Sequence, residues 1–387
     1  MKRNIILIIL LFIGEQIYSQ NEQYTFEPEN VGPNPGMYTL SLMSGYGNSG
    51  LLNDVSNIGA INPAALQNFN KAIGLSYQFN TRIQNPWISG YQERINQNIP
   101  QSIGIAFPLS CFEIGLSMHQ KFNTSFMLYT DQITLSSYPD APKYTEYMDF
   151  NRVLFNYSIS FSYTLPEFIK NSFFTIGIRY GFNNYLFHET INSAHLNESF
   201  YKSDYAIGSV YTLRKEENDY LQLGLYYESA LSLSKTAHFD GDLQTMFFGE
   251  IPQFINPNII LNADFPPTLR FDFNFSPSNK IKLLGSISDV YWSTIDDLMK
   301  NEMEYSGSFE YLINKLISAS VGFNYLERKY SENSIEIIEY VNEMFITAGI
   351  LIRYGNINLH LAIAEGQLIK NKSIEQTIFN TSISYNF

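Results

Sequence analysis

From residue 72 to residue 387, apolar or aromatic side chains recur at every second position, with small or polar ones between them. Val153, Phe155, Tyr157, Ile159, Phe161 and Tyr163 alternate with Arg152, Asn156, Ser158, Ser160 and Ser162, and only Leu154 breaks the series. Phe174 to Phe182 and Leu269 to Phe275 read the same way. A strand points successive side chains to opposite faces, so each segment has one apolar and one polar face. A sheet of such strands meets hydrocarbon outside and a polar lumen inside only when it closes. The pattern therefore predicts an all-β protein, a transmembrane antiparallel β-barrel.

Fourteen strands are expected, over 72–82, 102–109, 112–120, 152–164, 173–187, 199–213, 219–234, 267–276, 280–292, 303–313, 317–330, 344–354, 356–367 and 375–387. An even number places both ends of the chain on the periplasmic side. The connections alternate between short turns and longer segments, among them 121–151 and 235–266, as extracellular loops and periplasmic turns do. Only 368–374 is shorter than its outside position suggests.

The beginning of the chain names the compartment. Lys2 and Arg3 precede an apolar run from Ile5 to Ile13, with cleavage expected after Ser19, so residues 1–19 form a secretory signal peptide. That run falls short of the ~20 residues a membrane helix needs. Gln20 follows the cleavage point, so no cysteine is there to carry a lipid. With Cys111 alone, the exported chain has no internal disulfide. A formal charge of −13 argues against nucleic acid as a partner. Tyr and Phe number 28 and 30 while charged residues are 16% of the chain, a composition suited to pleated surfaces. The expected location is the outer membrane of a Gram-negative bacterium.

Residues 20–71 are too many for a simple tail. They contain Asp54, Ser56 and then Asn62-Pro63-Ala64, directly before the first strand. Further on, Phe265-Pro266-Pro267-Thr268-Leu269-Arg270 opens a strand, and Asp289-Val290-Tyr291-Trp292-Ser293 closes the next. In these features the chain resembles the FadL-type outer-membrane transporters of long-chain fatty acids and other hydrophobic compounds. The resemblance implies an N-terminal hatch over residues 20–71, filling a barrel of residues 72–387, with Asn62, Pro63 and Ala64 on the ligand path. It implies capture of a hydrophobic small molecule by the long loops, where Phe122, Phe126, Met127, Phe247, Phe248 and Phe254 are available. It also implies sideways exit into outer-membrane lipid near a kinked third strand, for which Gly115 is the candidate, since glycine marks bends. No cofactor or metal is called for, and a monomer is expected. A strand ending at Phe387 resembles the signal read by the barrel assembly machinery.

Lumen-facing charges come from the residues themselves. On the lipid face an Arg costs about 2–4 kcal/mol at mid-bilayer, so Arg152, Arg179 and Arg270 should point inward, with Glu228 and Asp272 available to pair with them or with the hatch. A carboxylate ligand would need one Arg left unpaired. Gly45, Gly47 and Gly50 spell a dinucleotide fingerprint but lack the βαβ unit it requires. His188, His195 and His238 fall in expected outer loops beside Glu189 and Asp240, without a nucleophilic serine motif, so solvated histidines are a better reading than a rim hydrolase. The alternative to a channel is a shuttle component of a type IX secretion system, which some FadL-like barrels resemble. A plain porin would have no use for a plug.

Overall fold

The computed structural model describes residues 23–26, 49–84, 93–129, 147–167, 169–191, 194–215, 218–238, 240, 258–294, 301–327, 343–366 and 374–387. The expected signal peptide lies outside the described residues.

In chain order the strands are β1 (Gln23–Phe26), β2 (Ala72–Gln84), β3 (Glu93–Leu109), β4 (Phe112–Tyr129), β5 (Tyr147–Thr164), β6 (Ser172–Ile191), β7 (Ala194–Lys215), β8 (Asn218–Glu228), β9 (Leu231–His238), β10 (Asn258–Phe265), β11 (Thr268–Ser278), β12 (Ile281–Val290), β13 (Glu302–Leu312), β14 (Ile317–Glu327), β15 (Glu343–Tyr354), β16 (Ile357–Glu365) and β17 (Ile374–Asn386). Fourteen of them, β2 to β8 and β11 to β17, form a closed barrel in which every pair is antiparallel. The seam runs from Ala72–Asn386 to Gln84–Ile374, and Phe387 N donates to Lys71 O at 2.8 Å. Closure gives every barrel strand two neighbours, which is the condition for a sheet in hydrocarbon.

The facing follows the alternation. Arg152, Asn156, Ser158, Ser160 and Ser162 are buried inside, while Ile176, Ile178, Tyr180, Phe271 and Leu361 are exposed outside. An exterior of this kind suits hydrocarbon rather than water.

Strand ends depart from the sequence expectation at one end of the barrel. β3 begins at Glu93, β4 runs to Tyr129, and β6 and β7 continue to within a residue or two of each other, so much of the expected loop sequence is paired strand. Alternation marks only the part of a strand that has an apolar side and a polar side. Beyond the apolar band the ladder continues while the side chains become mixed, as at His188-Glu189-Thr190.

The expected strand 219–234 is two elements. β8 ends at Glu228, and β9 leaves the barrel to pair with β10, whose other edge takes β1 in parallel. Leu231, Leu233, Leu261 and Phe265 of this small sheet are buried, and Tyr185 of β6 lies 5.8 Å from Phe200 of β7 and 6.1 Å from Phe265, ring centre to ring centre. β1 thus stands at the loop end of the barrel, opposite Phe387, while the residues before Gln23, on which the expected placing of the first end of the chain rests, lie outside the described residues.

Candidate functional site

Residues 49–71 precede β2 and lie against the barrel's inner face. Leu51, Leu52, Val55, Ile58, Ile61, Ala64 and Leu66 are buried in one cluster that includes Ala106, Val210 and Leu284 of the wall. Two short 3-10 turns shape the segment. Asp54 caps the first, Val55–Asn57, by accepting from Ser56 N at 3.0 Å, and Asn62 caps the second, Pro63–Asn68, by accepting from Ala64 N at 3.0 Å. Pro63 suits its place because its missing N–H would have no partner at the first position of a turn.

Asn62 spends its whole amide on this seat. Its Oδ1 holds Ala64 N, and its Nδ2 donates to Ser209 O at 3.2 Å and Leu225 O at 3.0 Å, carbonyls of β7 and β8. Such an approach to the wall requires that side chains be missing there. A Cβ on Gly208 would overlap Asn62 Oδ1, one on Gly177 would overlap the Pro63–Ala64 backbone, and Gly224 lies beneath Asn62 Nδ2. The tripeptide therefore rests on three glycines, one each from β6, β7 and β8.

Two arginines hold the same segment. Arg179 donates to Gly59 O and, at 3.4 Å, to Ile61 O, while its other nitrogen reaches Tyr226 Oη at 2.6 Å and Glu228 Oε1 at 3.1 Å. Arg270 pairs with Asp272 at 3.1 Å, and Asp272 Oδ1 accepts from Gly50 N at 2.8 Å. The guanidinium groups of Arg179 and Arg270 lie 5.6 and 4.5 Å from the centre of the Tyr226 ring. On the far wall, Asp54 accepts from Ser382 Oγ at 2.8 Å and faces His360 Nδ1 at 3.9 Å. Burial pushes the Asp54 carboxyl up, but His360, Ser56 and Ser382 outweigh it and hold the group below its ordinary range.

Of the five charged residues named from the sequence, Arg179 faces Glu228 and Arg270 faces Asp272, while Arg152 pairs with Glu189 at 3.8 Å and Glu228 is shared with Lys121 at 2.6 Å. Sequence reasoning missed Lys121 and its second partner Asp204, 2.7 Å away. Lys121 sat where a loop was expected, and nothing in the alternation singles it out. Asp204 carries the same inward parity as Ala206 and was within reach of the pattern.

The wall has an opening. β3 and β4 are bonded from Leu109–Phe112 up to Ser102–His119, and among the described residues no further pair joins them although both strands run on. Above that level the described residues of β3 pair with β2 and those of β4 with β5. Both strands are irregular at this height. On β3, Ser76 of β2 pairs with Ser102 and Tyr77 with Pro100, leaving Gln101 as an extra residue. On β4, Gln120 and Phe122 take successive β5 partners, leaving Lys121 extra. Bulges bend strands, and proline has no N–H to give a ladder. Where the strands part, Gln101 Nε2 donates to Gln120 O at 3.4 Å. The register irregularity of the third barrel strand thus falls at Gln120–Phe122, whereas the ladder runs regularly through Gly115, the residue expected to mark a kink. Gly115 faces inward, where Leu66 and Ile58 occupy the space a side chain would fill.

Directly below the opening, on the outer face, lies a shallow open depression lined by Ile103, Ile105, Leu116, Met118, Tyr157 and Phe182 among others. Behind its upper edge, on the inner face, Val55 lies against Gly104 and Gly59 against Ser117 and His119.

No protein-family model matches the chain, and no curated protein matches it in sequence. Solved structures do match. A FadL homologue from Pseudomonas aeruginosa superposes with a TM-score of 0.60 at 13% identity, covering 89% of this chain and 98% of its own. The toluene transporter TodX from Pseudomonas putida gives 0.56 at 13%, covering 90% and 98%. The toluene transporter TbuX from Ralstonia pickettii gives 0.55 at 11%, also covering 90% and 98%. The fold is the FadL-type barrel.

Within this FadL-type barrel the capture residues expected from the sequence are placed in part. Phe122, Phe126 and Met127 belong to β4, with Leu154, Phe150 and Asp149 of β5 as register partners, so they are strand and not loop. Phe247, Phe248 and Phe254 lie outside the described residues. His188 and His195 meet Asn197 and Thr190 rather than a serine. The proline-opened hairpin is present, with Tyr291 N donating to Pro267 O at 3.1 Å and Trp292 buried beside it.

Proposed function

We propose that the protein is a non-enzymatic channel of the Gram-negative outer membrane that admits hydrophobic small molecules and releases them sideways through the opening between β3 and β4. The observation that carries this reading is the end of the β3–β4 ladder at Ser102–His119, above an apolar hollow on the outer face. A polar solute gains nothing from a route that ends on such a surface. The toluene transporters that share the fold are named for a molecule of this class.

In this reading residues 49–71 are the hatch. Val55 to Gly59 form a floor beneath the opening, and a molecule descending the lumen meets the floor and is turned toward the wall. Asn62, Pro63 and Ala64 hold the floor in place from the opposite side, so their part in passage is to set where the hatch sits. Phe122, Phe126 and Met127, with Phe247, Phe248 and Phe254, remain the proposed apolar residues for capture. Phe387 remains the proposed contact for the assembly machinery.

The charges favour an uncharged ligand over a fatty-acid anion. Lys121, Arg152, Arg179 and Arg270 each face a carboxylate of the chain itself. A ligand carboxylate would have to displace one of these, leaving a buried acid without its partner.

The test is uptake of labelled toluene and of a labelled long-chain fatty acid by intact Gram-negative cells that lack their own FadL-type proteins, with and without this chain in the outer membrane. Toluene uptake should rise and fatty-acid uptake should rise less. Fatty-acid uptake alone would reverse the choice of ligand. No uptake of either, with the protein at normal surface abundance, would sink the channel and favour the secretion-shuttle alternative.

A further inference from the structure

Lys121 is the extra residue of the β4 bulge, at the height where the wall opens. From there it crosses the lumen. Its Nζ lies 2.7 Å from Asp204 of β7 and 2.6 Å from Glu228 of β8, past the intervening strands β5 and β6. Glu228 Oε1 is shared, since it also takes Arg179 Nη2 at 3.1 Å, while Tyr226 donates to Oε2 at 2.9 Å. Arg179 in turn grips the carbonyls of Gly59 and Ile61. A continuous chain of contacts therefore runs from the edge of the opening, through Lys121, Glu228 and Arg179, to the backbone of the inner segment.

The arrangement has a physical consequence. Lys121 and Arg179 draw on one oxygen of one carboxylate, and in a site with little water that attraction is strong and local. If Lys121 moves with the bulge, Glu228 moves or turns to Arg179, and the hold of Arg179 on Gly59 and Ile61 changes with it. The reverse holds equally, because coupling between two sites is reciprocal.

We propose that Lys121, Glu228 and Arg179 act as positioning residues that tie the place of residues 55–61 to the width of the β3–β4 opening, so that hatch and opening move together. What this means for transport rests on the channel reading above. The coupling itself is measured without a ligand, so the two ideas fail separately.

The experiment is hydrogen–deuterium exchange on the full mature barrel in nanodiscs, comparing the parent with two perturbations applied at opposite ends of the chain of contacts. The first is K121M/D204N, which removes one charge of each sign and leaves the Glu228–Arg179 pair. The second is R179Q, with R179K as the variant that keeps the charge. Opening at 55–61 should become about tenfold more frequent in K121M/D204N, the size expected for loss of one charge-assisted bond, although neither altered side chain is bonded to that segment. R179Q should likewise raise exchange at 120–124, and K121R should return 55–61 toward the parent. Exchange in β13 and β14 should stay unchanged, which shows that the barrel is intact. If K121M/D204N loosens only 119–124 and R179Q only 59–61, the contacts are local and the coupling is overturned. If R179Q does not fold, R179K against K121M/D204N decides by the same readout.

Discussion

Two seams of the same wall behave in opposite ways. β6 and β7 are joined by twenty consecutive pairs from Ser172–Leu213 to Ile191–Ala194. β3 and β4, 17 and 18 residues long, share only eight, from Leu109–Phe112 to Ser102–His119. Strand length is therefore not what limits pairing. The first seam has no extra residue in either strand and no proline, whereas the second has Pro100, Gln101 and Lys121 within two residues of its last pair. The closed seam also carries the seat of the inner segment, at Gly177 and Gly208, while the open one faces its floor. One side anchors and the other side parts.

The largest expected effect comes from removing the difference between the seams. Joining Gln101→Cys to Gln120→Cys by a disulfide should cut hydrocarbon uptake at least tenfold, whereas the same bridge at Ile178→Cys and Ile207→Cys, register partners on the closed seam, should leave it unchanged. Equal effects at both seams would remove the functional meaning of the comparison.

Next in size is the outer face. Ile178→Arg should cost about 2–4 kcal/mol if it lies near mid-bilayer, read as loss of the folded, heat-modifiable band. Ser160→Arg faces inward, and alternation alone would count it as tolerated. Yet Ser160 pairs with Gly115 at the level where Leu66 and Ile58 fill the lumen, so overpacking should cost about 1–3 kcal/mol. A neutral result at Ser160 would mean that the inner segment yields there.

Smaller still is the seat itself. Gly208→Ala drives a methyl into Asn62 Oδ1 and should raise proteolysis of residues 49–71 severalfold while the barrel stays folded, with a cost of about 1–3 kcal/mol borne by the seat. If Gly115→Ala, which meets only the ends of Leu66 and Ile58, has the same effect, the anchoring side is not special.

The smallest is a pH effect on the wall opposite the glycines. The Asp54 carboxyl is held below its ordinary range, so the stability it lends is fully present at neutral pH and is lost only as pH falls through that lowered value. Protection of residues 54–57 should therefore survive mild acid and decline below about pH 4, and Asp54→Asn should remove the dependence. A decline already between pH 7 and 5 would assign the effect to another group.

The barrel was legible because closure and a two-residue period are properties of every strand that has a wet and a dry side. Strand number, facing and the direction of Arg179, Arg270 and Asp272 follow from that period alone. The opening was not legible, since it arises from two single extra residues whose effect depends on being level with each other in space. Gln101 and Lys121 lie 20 positions apart in the chain, and only the register brings them together. The resemblance pointed to a kink in the third strand; the irregularity of that strand falls at Gln120–Phe122, and Gly115 makes room for Leu66 and Ile58. β9 and β10 escaped for a different reason: Ile259, Leu261, Ala263 and Phe265 do alternate, yet they sit in a stretch that topology assigned to a loop.

The three glycines beneath Asn62, Pro63 and Ala64 carry a consequence for substitution. Segment 49–71 is not a separate part that happens to fit a finished tube, because the tube leaves room for it at one glycine on each of three neighbouring strands. A side chain added at Gly177 or Gly208 would therefore meet this segment before it met any other strand of the wall.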